Sequence, residues 1–333
     1  MPTSVFALPA TLVLLCGLTL AGCAAQPANA PQSLPSHSPQ PAHAQSSDAS
    51  GTAPEAGPSQ TAASANTASV GTAPAPGAFA LPPTTGVFDY QLGGAHPTAD
   101  GRPLDVVVRD ASAAPQPGAY SVCYVNAFQT QPDESAEWLA RDEERLRRGS
   151  APLLLRTPAG EPVRDPDWPD EYVLDPSAEE QRDGILEHLA PVITACADDG
   201  FDAVEFDNLD TWTRFPAISE AGAGALARSL TAQAHAAGMA AGQKNAAEVA
   251  ATAQHDLGFD FAVTEECAVW DECRAYTDVY GEHVLQIEYP DALAEAGLTF
   301  AEACAAPGRA PLTLLRDRGL TPPGDEAHVY AAC

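Results

Sequence analysis

Lysine is nearly missing from this chain. Among 333 residues there is one, Lys244, and the other fifteen basic residues are arginines. Positive charge of any kind is scarce, since 16 Lys plus Arg stand against 45 Asp plus Glu, a net charge of −29. Binding along phosphates needs a basic face, so the composition speaks against nucleic acid as a partner. An acidic surface draws cationic ligands instead, and it also serves the solubility of an exported protein. Other absences narrow the chemistry. No HxH, HExxH or Cys/His ligand set occurs and no pair of CxxC elements, which argues against a metal centre. No GxSxG elbow presents a serine, and no Gly-rich phosphate loop follows an apolar run, which disfavours an open dinucleotide-binding sheet. No cofactor is expected.

Large apolar side chains are also absent from most of the first quarter. They occur in residues 4–22, SVFALPATLVLLCGLTLAG, which lead into Cys23 through small residues. This pattern is that of a secretory signal with a lipoprotein-type cleavage site, covering 1–22, with lipid attachment at Cys23. A plain signal peptide or a membrane anchor is the alternative, although the apolar run is short and interrupted by Pro9. Residues 23–84 are almost wholly Ala, Ser, Pro, Gly, Thr and Gln. They cannot bury enough surface to offset the entropy of ordering and read as a disordered tether. The protein is therefore expected outside the cell or on its surface, a monomer touching the membrane only through its lipid. Residues 85–333 carry six cysteines, Cys123, Cys196, Cys267, Cys273, Cys304 and Cys333. An even number in an exported chain points to disulfides, and six allow fifteen connectivities. The spacing CAVWDEC favours a local Cys267–Cys273 bridge.

Apolar runs rich in β-branched and aromatic residues predict eight strands: 87–92, 104–110, 121–126, 171–175, 203–208, 239–245, 259–266 and 283–289. Helical patterns over 133–148, 177–199, 218–238 and 291–304 fill most of the gaps. Alternating strands and helices argue for a parallel sheet, and eight strands argue for a (β/α)8 TIM barrel. The connections after the first two strands are too short for full helices.

The strands end alike. Asp110, Asp175, Glu205 with Asp207 and Asn208, Lys244 with Asn245, Glu265 with Glu266, and Glu288 all fall at or near C-terminal ends, which converge on the mouth of a barrel. At period two, Ala203, Glu205 and Asp207 share one face of their strand, while Val204 and Phe206 share the other. Where the chain needs positive surface charge it uses Arg, so the lone ammonium of Lys244 belongs to a site that wants a compact donor. An acid-rich site with one ammonium suits glycoside hydrolysis, in which one carboxyl protonates the leaving oxygen and a second acts as nucleophile or base.

The segments VEFDN (204–208), GQKN (242–245), FDFAVTEEC (259–267) with DEC (271–273), and IEYP (287–290), preceded by CYVN (123–126) and DWPDEYVLD (167–175), resemble glycoside hydrolase family 114. These are TIM-barrel endo-α-1,4-polygalactosaminidases, which cleave polymers containing α-1,4-linked galactosamine. The resemblance implies a catalytic pair at Asp207 and Glu265, as nucleophile and general acid/base of a retaining reaction. It further implies that Glu205, Asn208, Lys244, Asn245 and Glu288 orient the pair or bind the polysaccharide substrate, and that Asp110 and Asp175 line the cleft. Two stretches depart from the family: NAFQTQPDESAEW after the third strand, and the tail PGRAPLTLLRDRGLTPPGDEAHVYAAC. A non-catalytic carbohydrate-binding surface lipoprotein, or a hydrolase of another glycan, is the alternative.

Overall fold

The structure is a computed structural model that describes residues 79–333. The expected signal segment, Cys23 and the tether up to residue 78 lie outside the described residues. Eight parallel strands follow one another in chain order: β1 (Phe88–Tyr90), β2 (Val106–Asp110), β3 (Tyr120–Asn126), β4 (Ala203–Asp207), β5 (Ala240–Lys244), β6 (Phe261–Glu265), β7 (Val284–Glu288) and β8 (Leu312–Arg316). This succession is that of a (β/α)8 barrel. A ninth strand, β9 (Tyr330–Ala332), runs antiparallel along β8 and makes the sheet mixed. Side chains bridge its two ends. Arg316 on β8 donates to Asp89 and, at 2.8 Å, to the carbonyl of Tyr90, while the Tyr330 hydroxyl donates to the carbonyl of Phe88 at 2.9 Å.

No helix separates β1, β2 and β3, as the short connections predict. Later connections carry α1 (Ser135–Arg147), α2 (Glu179–Asp199), α3 (Thr211–Arg214), α4 (Glu220–Ala236), α5 (Ala250–Thr252, between a 3-10 turn and a π turn), α6 (Cys273–Tyr280), α7 (Pro290–Glu295) and α8 (Phe300–Ala305). Local chemistry sets their ends. Ser219 caps α4 by accepting from the Gly222 amide at 2.9 Å, and Gly200 closes α2 with φ of 97°. The pattern at 291–304, expected as one helix, forms two. Gly297 turns the chain at φ 71°, and Thr299 with Glu302 builds a capping box that starts α8.

Two strand assignments need correction. Residues 171–175 are extended but lie outside the barrel, where Tyr172, Val173 and Leu174 bridge to Arg164, Gln129 and Leu154 within the long β3–α2 connection. The eighth barrel strand is instead β8, in the tail that departs from the family pattern. Alternation reports an extended backbone, not the partner it finds.

Apolar side chains form two layers. Inside the barrel lie Phe88, Val106, Val108, Tyr120, Val122, Ala203, Ala240, Phe261, Val263, Leu285 and Leu312. Between strands and helices lie Val204, Phe206, Ala241 and Ala262 with Ile185, Leu189, Leu226 and Leu230. Disulfides add the bridges Cys123–Cys196, from β3 to α2, the expected Cys267–Cys273, and Cys304–Cys333, from α8 to the last residue. The first spans 73 residues and, by loop entropy, contributes on the order of 4 kcal/mol. Part of the stretch counted with the tether also lies against the barrel: Phe79 stacks on His235 with ring centroids 4.8 Å apart, the Ala80 carbonyl accepts from the Tyr120 hydroxyl at 2.7 Å, and the Pro82 carbonyl lies 3.0 Å from His283 Nδ1.

Candidate active site

Period-two alternation sends Ala203, Glu205 and Asp207 of β4, Gly242 and Lys244 of β5, and Phe261, Val263 and Glu265 of β6 into the barrel. The backbone then turns sharply. Asn208 (φ 65°), Asn245 (φ 48°), Ala246 (φ 62°) and Glu266 (φ 60°) all adopt the left-handed conformation directly after β4, β5 and β6. That conformation costs an L residue roughly 1–2 kcal/mol, and such costs concentrate at functional sites.

Lys244 is the hub. Its Nζ lies 2.9 Å from Glu265 Oε2, 3.3 Å from Asp207 Oδ2 and 3.7 Å from Glu205 Oε1, and 5.7 and 5.8 Å from the ring centroids of Tyr90 and Tyr124. Burial alone would push the ammonium toward its neutral form, but Asp207, Glu265 and Glu205 outweigh it and raise its pKa. Each of the three acids also accepts from a tyrosine. Tyr124 donates to Asp207 Oδ2 at 2.7 Å, Tyr289 to Glu265 Oε1 at 2.5 Å, and Tyr90 to Glu205 Oε1 at 2.9 Å. Burial first, then the acids, keeps all three phenols protonated, so they act as donors. Asp207 Oδ1 also accepts from the Asn208 amide at 2.7 Å, and Asn245 makes a reciprocal pair with Glu265, accepting from its amide at 2.8 Å and donating to Oε2 at 3.2 Å.

Glu205 differs from the other two acids. It is fully buried and its Oε2 has no hydrogen-bond partner. Burial pushes its pKa up to about 8, against the pull of Lys244 and with the help of Asp207.

The expected site residues divide. Asp207, Glu265, Glu205, Lys244 and Asn245 come together around one ammonium. Asn208 faces a neighbouring network, donating to Asn126 at 3.0 Å and accepting from Arg214 at 2.9 Å. Asp110 stands at the end of β2, where it accepts from Gln131 at 3.0 Å and from Ser112. Asp175 is not brought to the mouth; it caps a turn by accepting from the Ser177 amide at 3.0 Å. Glu288 points to the opposite face of β7 from Ile287 and Tyr289, where it accepts from Gln286 at 2.8 Å and the Ala268 amide at 3.0 Å.

Sequence reasoning passed over four residues. Tyr90, Tyr124 and Tyr289 are not singled out by the motifs, although each sits at the inward period of its strand. The fourth is Glu171, the acid of segment 171–175 that does reach the site. It accepts from Asn126 at 3.0 Å, and burial, with Asp207 and Asp165 nearby, raises its pKa to about 8. Among the described residues, one cluster combines metal-ligand types within 4.8 Å: Cys267, Cys273 and Glu288. Its sulfurs are bonded to each other, so it offers no thiolate.

The two distances from Lys244 place Asp207 Oδ2 and Glu265 Oε2 no further apart than their sum, 6.2 Å. Two opposed carboxylates at that range, each fixed by a phenol and a shared cation, match what two-carboxylate glycoside hydrolysis requires.

Comparison with known proteins agrees with this chemistry. No curated protein matches the chain. Among solved structures, Ega3 of Aspergillus fumigatus, determined in complex with galactosamine, superimposes with a TM-score of 0.57 at 19% identity, covering 77% of this chain and 98% of that one. The glycoside hydrolase domain of PelA from Pseudomonas aeruginosa gives 0.49 at 17% identity, covering 73% and 97%. The likeness to Ega3 shows the fold. The model of glycoside-hydrolase family GH114 matches residues 68–333, and the chain therefore belongs to that family of glycosidases.

Proposed function

We propose that the protein hydrolyses an α-1,4-linked, galactosamine-containing polysaccharide by a retaining two-carboxylate mechanism. The observation that carries this reading is the convergence of Asp207 and Glu265 on Lys244, within 6.2 Å of each other. Retaining enzymes hold their carboxyl groups about 5–5.5 Å apart and inverting ones about 6.5–9.5 Å, and an oxygen pair within 6.2 Å is compatible with retention. Asp207 attacks the anomeric carbon, positioned by Tyr124 and the Asn208 amide. Glu265 protonates the leaving oxygen and then takes a proton from the attacking water, positioned by Tyr289 and Asn245. The galactosamine bound by Ega3 and the net charge of −29 support a cationic amino-sugar polymer as substrate.

The test is reducing-end release from such a polymer by the full chain. Asp207→Asn and Glu265→Gln should each lower kcat about 10²–10⁴-fold, and azide should rescue a small-side-chain Asp207 variant as a glycosyl azide. Full activity in both variants would remove the pair. Binding by wild type without new reducing ends would favour the non-catalytic reading.

We further propose that the protein acts outside the cell, anchored through a lipid on Cys23. No helix among the described residues is long and apolar enough to cross a membrane. Cys23→Ala should move the protein from the membrane to the soluble fraction, and unchanged fractionation would refute the anchor.

A further inference from the structure

Glu265 is supported from a part of the chain that the family motifs do not contain, the tail after β8. Arg318 lies there, its Cζ 4.7 Å above the ring centroid of Tyr289. Its Nη2 donates to Glu266 Oε1 and its Nε to Asp291 Oδ2, each at 2.5 Å. One guanidinium thus joins the loops that follow β6, β7 and β8. Two routes lead from it to Glu265. Through Tyr289, it fixes the plane of the phenol whose hydroxyl donates to Glu265 Oε1. Burial and Glu265 raise the pKa of that phenol while the Arg318 charge opposes them, so the hydroxyl is a stronger donor with Arg318 than without it. Through Glu266, it ties down the residue directly after Glu265, whose backbone adopts the left-handed conformation, φ 60°, at a cost that its other contacts must offset.

A surface ion pair alone would not require this arrangement. The Asp291 carboxylate is 61% exposed, and such pairs contribute little to stability. The Glu266 carboxylate is buried, and the ring of Tyr289 is fully so. The planar fork of Arg matches both tasks, one face on an aromatic ring and two edges on carboxylates.

We propose that Arg318 is a positioning residue for Glu265, acting through the ring of Tyr289 and the backbone of Glu266. This rests on the hydrolase reading of the site. On the galactosamine polymer, Arg318→Met should lower kcat about tenfold, a change of one decade in rate, while KM stays within about twofold. Arg318→Lys should recover only part of the loss, because an ammonium supplies charge without the planar contact. The double variant Arg318→Met with Tyr289→Phe should lose less than the product of the two single losses, because the route through Tyr289 is common to both. A raised KM with kcat intact would instead make Arg318 a direct substrate contact, and multiplicative losses would make the two residues independent. Asp291→Asn removes one anchor at an exposed position and should lower kcat about twofold to threefold in a folded protein; no change there would also count against the inference.

A crystal structure of Arg318→Met separates this inference from the reading on which it rests. Loss of the Tyr289–Glu265 hydrogen bond, or relaxation of Glu266 from positive φ, supports the positioning role even if the wild type cleaves no polymer. Both features unchanged would overturn it.

Discussion

The barrel interior has two layers that are equally buried and chemically opposite. Toward their N-terminal ends β4, β5 and β6 present Ala203, Ala240 and Phe261, all fully buried; two rungs or so higher the same strands present Asp207, Lys244 and Glu265, exposed by only 2%, 2% and 6%. The lower layer gains stability from apolar area alone and is governed by volume. The upper layer has no such driving force. Each of its groups is tolerable only because another neutralises or hydrogen-bonds it. The difference teaches that burial in this protein does not imply inertness, and that the two layers should fail in different ways.

Removing the cation should give the largest effect. Lys244→Met keeps volume but leaves Asp207, Glu265 and Glu205 facing one another. Breaking a buried pair from one side costs about 3–5 kcal/mol, so the midpoint of denaturant unfolding should fall accordingly while hydrolysis is lost. A variant as stable as wild type would mean that the acids do not depend on the ammonium.

The next effect is a pH dependence centred on Glu205. Glu205 has its pKa raised to about 8 in the folded protein by burial, against about 4.3 in an unfolded chain. Between those values the folded state holds a proton that the unfolded state has released. Stability contributed at this residue is therefore present below about pH 4.3 and declines as pH rises toward about 8, with a slope of at most about 1.4 kcal/mol per pH unit. Glu171, raised to about 8, and Glu288, raised to about 7, act in the same direction. In Glu205→Gln the amide cannot titrate, so its stability relative to wild type should climb from pH 5 to pH 8. A difference that is flat across that range would place Glu205 in a more polar setting than its unpartnered Oε2 indicates.

The two layers were unequally legible in the sequence. Alternation in AVEFD assigned Glu205 and Asp207 to the inside, and the structure places them there. The same rule, applied to VLQIEY, turns Ile287 and Tyr289 inward and Glu288 outward; reading polarity at a strand end without counting the period assigned Glu288 to the cleft. The three tyrosines share the inward period with Glu205 and Asp207, but an aromatic in an apolar run has the composition of core, and the hydroxyl–carboxylate bonds that distinguish them are made across strands. Segment 171–175 and β8 exchanged places for a related reason. EYVLD and LTLLR share the composition of a short buried strand, and the ladder partner of each is set by tertiary contacts that no local pattern encodes. The break between α7 and α8, by contrast, was written in the chain as Gly297 followed by Thr299 and Glu302.

The smallest predicted effect probes the boundary between the layers, at Gly242. It lies on β5 two residues before Lys244 and opposite Phe261 in the β5–β6 register. A Cβ built there would meet Phe261 Cζ at 2.5 Å and Cε2 at 2.8 Å, and because that ring is fully buried it has no open space into which to swing. Gly242→Ala should therefore cost about 1–3 kcal/mol by overpacking. The three atoms nearest the added methyl all belong to Phe261, so kcat per folded molecule should change by no more than a few-fold. Combining it with Phe261→Leu should restore part of the lost stability, since the clash is one of volume. If the single variant keeps its stability but loses turnover, the lower layer is setting the position of Lys244 directly, and the separation between a layer governed by volume and a layer governed by charge does not hold on β5.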